Sequence, residues 1–200
     1  MEKKGFINII FAIVIIVLVI LAGYFAFVRP KISTPASNKA ADWKKLIPEV
    51  QTIIGPSFLG VEVRKQAMSI AQTKDITGDG VPEALIYLGN SGAYTEYLTL
   101  IRLEKGKPVI ARFKQKDGKV SPLIFLSGAS VMNGESAIML PEKSAIYAGH
   151  WSRTVQGEPY GRLTNCKVEA YQWNPQTKLF EFSQSLSDEI RQDYCQEMDN

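Results

Sequence analysis

Histidine is almost missing from this chain. With His150 alone among 200 residues, a histidine-rich zinc or iron site is not available. The glycine-rich phosphate loops G-x-G-x-x-G and G-x-x-x-x-G-K-[ST] are also absent. Gly89-Asn90-Ser91-Gly92 does not make the G-x-S-x-G elbow of a serine nucleophile and reads as a turn. His150 beside Ser152 offers a general base, but A-G-H-W-S-R has the pattern of a strand end. Net charge is missing too from most of the chain. Of 23 Lys and Arg, four precede Ser33 (Lys3, Lys4, Arg29, Lys31), and of 20 Asp and Glu only Glu2 does, which leaves 19 of each sign beyond that point. A neutral domain without a Lys/Arg cluster lacks the electrostatic footprint that phosphate backbones require, so nucleic acid is excluded as an expected partner. No internal repeat recurs at a fixed period.

What the chain does have is one long apolar run. Phe6 to Val28 is 23 residues without a charge. At about 1.5 Å per residue such a helix spans the roughly 30 Å hydrocarbon layer with some tilt. Asn8 is its only strongly polar side chain, and Tyr24, Phe25 and Phe27 cluster near the exit, where aromatic rings favour the headgroup level. A cleaved signal peptide would have a shorter apolar stretch, of about 7 to 15 residues, and a small-residue cleavage site. The expectation is therefore a retained single-pass anchor. It divides the chain into a stub (1–5), a transmembrane helix (6–28), a linker (29–40) rich in Pro, Ser and Thr, and one domain (41–200) of the usual single-domain size. The flanking charges are nearly balanced, so cysteine usage sets the orientation. Cys166 and Cys195 both lie in the domain, and an even count suits one disulfide in an oxidising compartment. The domain is expected outside the cytoplasm, with the lipid bilayer as one partner.

Within the domain the pattern predicts an α+β, mostly β fold: one antiparallel β-rich domain with a short helix at each end. Trp43, Leu46, Ile47, Val50, Ile53 and Ile54 line one side of a helix. Ser37 or Asn38 is its expected cap, Pro48 its expected kink, and Gly55-Pro56 its end. Strands are expected over Gln66–Gln72, Glu83–Leu88, Glu96–Leu103, Pro108–Phe113, Ser121–Leu126, Ala137–Leu140, Ala145–Gly149, Lys167–Trp173 and Lys178–Phe182. Turn chemistry at Lys105-Gly106-Lys107, Lys116-Asp117-Gly118-Lys119 and Asn174-Pro175 joins several of them. Ser185 to Met198 reads as a closing helix capped by Ser185 or Ser187, which places Cys195 within reach of Cys166.

One segment carries metal chemistry. D-I-T-G-D-G-V-P-E, Asp75 to Glu83, places side-chain oxygens at loop positions 1, 3, 5 and 9 through Asp75, Thr77, Asp79 and Glu83, with the Val81 carbonyl at position 7. Calcium takes six to eight oxygens on a flexible loop. An EF-hand is excluded because its twelfth position, a bidentate Glu, is Ile86 here. The same residues also suit a glycine-rich turn whose Asp side chains bond to backbone amides. The spacing resembles the D-x-D-G-D-G-x-x-D loops of FG-GAP repeats in integrin-type β-propellers, with Thr77 and Glu83 in place of two of that pattern's residues. The resemblance implies a calcium loop between two strands.

The start M-E-K-K-G-F resembles the leader of type IV pilins and pseudopilins, and differs from it at Ile10, where that family carries Glu. That resemblance implies cutting between Gly5 and Phe6 and a pilin-like or pseudopilin-like subunit. A third reading, an envelope hydrolase, would use Asp75, Asp79, Glu83 and His150. The expected function is a membrane-anchored extracytoplasmic binding or structural module, calcium-stabilised and not catalytic. Tyr94, Tyr97, Trp151 and Tyr160, in loops rich in aromatics, Ser and Gly, are its candidates for contact with an envelope protein or a glycan.

Overall fold

A computed structural model describes residues 41–91, 94–130, 132–154 and 163–199, all within a single unit that takes in Asn38–Asn200. The expected stub, membrane segment and linker lie outside the described residues, as does Tyr160. Among the described residues no helix is long and apolar enough to cross a membrane.

The first element is helix α1 (Trp43–Ile54), which buries Trp43, Val50 and Ile54 along one side. Asp42, not Ser37 or Asn38, precedes it, and pairs with Lys45 at 2.9 Å. Pro48 sits inside the helix without ending it. Gly55, at φ 76° and ψ −171°, takes a positive-φ conformation open to glycine and ends it.

Among the described residues thirteen strands follow. Strands β1 (Ser57–Phe58) and β2 (Val61–Glu62) form a separate small hairpin. The rest are β3 (Ser69–Lys74), β4 (Glu83–Ser91), β5 (Thr95–Glu104), β6 (Lys107–Ile110), β7 (Phe113–Lys114), β8 (Val120–Ser121), β9 (Phe125–Ala129), β10 (Asn133–Leu140), β11 (Ala145–Arg153), β12 (Leu163–Asn174) and β13 (Leu179–Phe182). Helix α2 (Gln184–Asp199) closes the chain. The mostly β expectation with two helices holds, and the eleven strands from β3 onward form one sheet, antiparallel except where β13 runs parallel to β7.

The sheet closes on itself because β5 divides one of its edges. One edge pairs along most of its length with β4. The other gives Glu96–Leu98 to β9 and Ile101–Glu104 to β6. From β9 the pairing runs through β10, β11, β12 and β13 to β7, and β7 is the continuation of β6. The circuit therefore returns to β5. This accounts for the break in the expected strand Pro108–Phe113: its first part is held by β5, the Ala111 N–H still reaching Leu100 O at 2.9 Å, and its last part by β13. The expected Ser121–Leu126 strand is likewise split, since Ser121 pairs with β7 and Phe125 with β5.

Period-two alternation sorts the side chains of this sheet into three clusters. Leu85, Leu98, Leu100, Phe113, Phe125, Met139, Ile146, Tyr171 and Phe180 fill the interior of the circuit. On the other face of β4 and β5, Ala84, Ile86, Leu88 and Ile101 pack against Trp43, Val50 and Ile54 of α1. On the outer face of β11 and β12, Ala145, Tyr147, Val168 and Ala170 pack against Leu186 and Tyr194 of α2. Glycine is required where rings and backbone press closest. A Cβ on Gly134 would lie 2.4 Å from the Trp151 indole, and one on Gly149 would lie 2.6 Å from the Tyr194 ring.

Helix α2 is capped by Ser183 and not by Ser185 or Ser187: its Oγ accepts from the Leu186 N–H. Ser187 is buried instead and joins helix to sheet, donating to Ser183 O at 2.6 Å and accepting from the Ala170 N–H at 2.9 Å. Cys166 on β12 and Cys195 on α2 are disulfide-bonded, with Cα atoms 5.9 Å apart.

Candidate functional site

The Asp75–Glu83 segment is the turn of the β3–β4 hairpin, closed by the Lys74–Glu83 pair. Two of its residues point inward. Ile76 enters the central cluster, fully buried, and Glu83 is 2 % exposed. A buried carboxylate needs donors, and Glu83 has three: the Ile76 N–H at 2.9 Å, the Thr77 N–H at 3.2 Å and the Thr77 hydroxyl at 3.0 Å. Burial nevertheless dominates, and with a smaller push from the Asp79 and Asp75 charges it raises the Glu83 carboxyl to about 7.

The exposed carboxylates curl the loop. Asp75 accepts from the Gly78 N–H at 2.7 Å and the Gly80 N–H at 2.9 Å, and Asp79 accepts from the Val81 N–H at 2.8 Å. Gly78 and Gly80, at φ 74° and 84°, supply the conformation this needs. Of the two arrangements the sequence allows, these are the backbone contacts of the glycine-rich turn. Among the described residues no three His, Cys, Asp or Glu side chains are grouped to hold a metal ion. Of the expected calcium donors Asp75, Thr77, Asp79, Val81 and Glu83, the fold turns Glu83 inward onto Ile76 and Thr77, while Asp75 and Asp79 bond the exposed backbone amides of the loop.

The loop does not stand alone. Thr77, Gly78 and Asp79 form one wall of a cleft of about 490 Å³, whose other walls are the β5–β6 turn (Arg102 to Lys105) and the β12–β13 turn (Trp173, Pro175, Lys178). Arg102 lies on the face of β5 that carries Leu98 and Leu100, at the end of the interior. Its guanidinium stacks 4.6 Å from the Trp173 ring centre and donates through Nη1 to Glu104 at 2.6 Å. Trp173 also packs against Phe180, with ring centres 5.1 Å apart. Arg102 and Trp173 were not among the residues expected to matter. The signal for Arg102 was there in L-T-L-I-R-L, a single charge within an apolar strand.

The other candidates disperse. Tyr94 is 70 % exposed at the start of β5, whereas Tyr97 packs against the α1 cluster and Trp151 against the α2 cluster. His150 faces its cross-strand neighbour Glu135, with Nδ1 and Oε1 2.7 Å apart. It is also opposite Lys167 on β12, six residues from Trp173, which is about 20 Å along a strand. The structure thus places His150 far from the cleft beside the Asp75 loop. No family model, no curated protein and no solved structure matches this chain.

Proposed function

We propose that the chain is a membrane-anchored, extracytoplasmic binding or structural module, stabilised by calcium at the Asp75–Glu83 loop and without catalytic activity. The observation that carries the reading is the Cys166–Cys195 bond, which suits an oxidising compartment, together with an uncharged run of 23 residues before the domain. In this reading residues 6–28 cross the bilayer, residues 29–40 tether the domain, and the linker leaves the domain free to meet a partner beside the membrane. The binding role is supported by the cleft next to the Asp75 loop. The separation of His150 from that loop favours binding over hydrolysis, because a general base must lie within hydrogen-bond reach of the group it serves.

The test is labelling of Cys166 and Cys195 in intact cells with a membrane-impermeant thiol reagent, before and after reduction. Labelling of intact cells only after reduction is the expected result. Thiols that react without reduction, and only once the cells are lysed, would place the domain in the cytoplasm and end the reading.

A further inference from the structure

We propose that the pocket between helix α2 and the β10–β11 turn receives a lysine side chain of a protein partner. The inference deepens the binding role proposed above, on which it rests, and gives it a surface apart from the Asp75 cleft. The pocket, about 240 Å³, is smaller than the sites that enclose a whole small molecule, about 300 Å³ and upward. It has room for one side chain and leaves the rest of its owner outside.

Tyr147 carries the inference. It is 7 % exposed and lines the pocket, yet its hydroxyl has no hydrogen-bond partner among the described residues. That oxygen is not sealed in the core, so it faces the pocket. A largely buried polar group without a partner is costly, and an incoming donor supplies one. Burial, with smaller pushes from Tyr194 and Glu197, raises the phenol to about 12, so at neutral pH it is uncharged and its oxygen can accept. The Tyr194 hydroxyl is already engaged by Ser136 Oγ at 3.1 Å, and its ring stands edge to face with that of Tyr147, centres 6.0 Å apart. With Leu140 and Ile190, these rings offer apolar walls to a methylene stem, and their faces attract a cation.

The rim is acidic. Glu189, Asp193 and Glu197 recur every four residues along one side of α2. Lys143, the cation of the lining, is taken by Glu189 at 2.7 Å. Asp193 and Glu197 enter no ion pair or hydrogen bond among the described residues, so three carboxylates against one ammonium leave two negative charges. These two lie four residues apart, and Glu197 is in the last turn, where like charges and the helix dipole count against them and no basic residue answers. A bound ammonium relieves both. A metal ion fits less well, since among the described residues no three metal-ligating side chains are grouped and the apolar wall suits a carbon stem.

The test is calorimetric titration of the full-length chain, in a mild uncharged detergent, with end-blocked pentalysine, with the same peptide acetylated at every Nζ, and with spermidine as a free amine. The expected result is saturable binding of pentalysine, at least about tenfold tighter than either of the others. Tyr147→Phe deletes only the unpartnered hydroxyl, so it should fold like the wild type and weaken that binding about tenfold. Asp193 and Glu197 are both exposed, and Asp193→Asn/Glu197→Gln should fold at least as well and abolish saturable binding. No saturable binding of pentalysine, equally tight binding of the acetylated peptide or of spermidine, or wild-type binding in either variant would each overturn the proposal. Any of these alongside extracytoplasmic labelling would remove the pocket and leave the compartment standing, whereas pentalysine binding in a chain labelled only after lysis would do the reverse.

Discussion

Leu59 shows how single residues carry strain in this molecule. It joins β1 to β2 with Gly60, at φ 50° and 85°, and is 55 % exposed. A two-residue hairpin turn with both φ values positive favours Asn-Gly, and a branched apolar side chain there costs roughly 1 to 2 kcal/mol. Leu59→Asn should therefore raise stability by about 1 kcal/mol, seen as a higher urea midpoint with an unchanged slope. A lower midpoint would mean that Leu59 makes contacts that outweigh its backbone strain. Glu83 is a second such residue. Its carboxyl stands at about 7 in the folded chain against an ordinary 4.5. Between those values the folded chain holds a proton that the unfolded chain has released. Stability should consequently fall as pH rises through this window, by up to about 3 kcal/mol in calcium-free buffer. Glu83→Gln should flatten that slope. Denaturant melts at several pH values provide the check, and an equally steep decline in the variant would assign the effect to another group.

At the scale of elements, the joint between α2 and the sheet depends on a buried hydroxyl more than on the cap. Ser187 bonds both Ser183 O and the Ala170 N–H, so Ser187→Ala leaves a buried backbone donor unpaired and should cost about 2 kcal/mol. Ser185 is exposed on the same helix, and Ser185→Ala should change stability by less than about 0.5 kcal/mol. Equal losses in urea unfolding of the two variants would contradict this division. The β6–β7 segment makes a related point about strands. Its four-residue β6 and two-residue β7 are one stretch of chain that changes partners at Ala111–Arg112, and Phe113, just past the switch, stacks at 5.3 Å on Phe180 of its new neighbour. Propensity sees one strand there, and pairing makes two.

For the molecule as a whole, one device acts on global stability and a second is proposed. The Cys166–Cys195 bond closes a loop of sequence separation 29, and the chain-entropy relation assigns such a loop roughly 3 to 4 kcal/mol. Cys166→Ser/Cys195→Ser should unfold at correspondingly lower denaturant, and reductant should bring the wild type down to the same midpoint. A midpoint that reductant does not move would mean that the bond contributes nothing. Calcium is the other. Binding to the folded chain alone raises stability by RT ln(1 + [L]/Kd), about 2.7 kcal/mol at a hundredfold excess. Millimolar calcium should therefore raise the melting midpoint over that in EDTA, and Asp79→Ala should remove the gain. Identical wild-type midpoints in the two buffers would leave the loop as a turn held by its Asp side chains.

Local pattern alone determined the elements whose signals are local: the apolar side of α1, the β12–β13 hairpin opened by Asn174, the left-handed turn at Lys105-Gly106, the closing helix, and the pairing of the only two cysteines. Period and turn chemistry act between near neighbours, so they can be read in one dimension. The closure of the sheet, the division of the β5 edge, the use of Ser183 as cap and the burial of Glu83 were decided only in three dimensions, because each depends on which distant strand supplies the partner. The cleft is the clearest case. Asp79, Arg102 and Lys178 are separated by 23 and 76 residues of chain, and only the folding of three turns to the same end of the sheet sets them around one space.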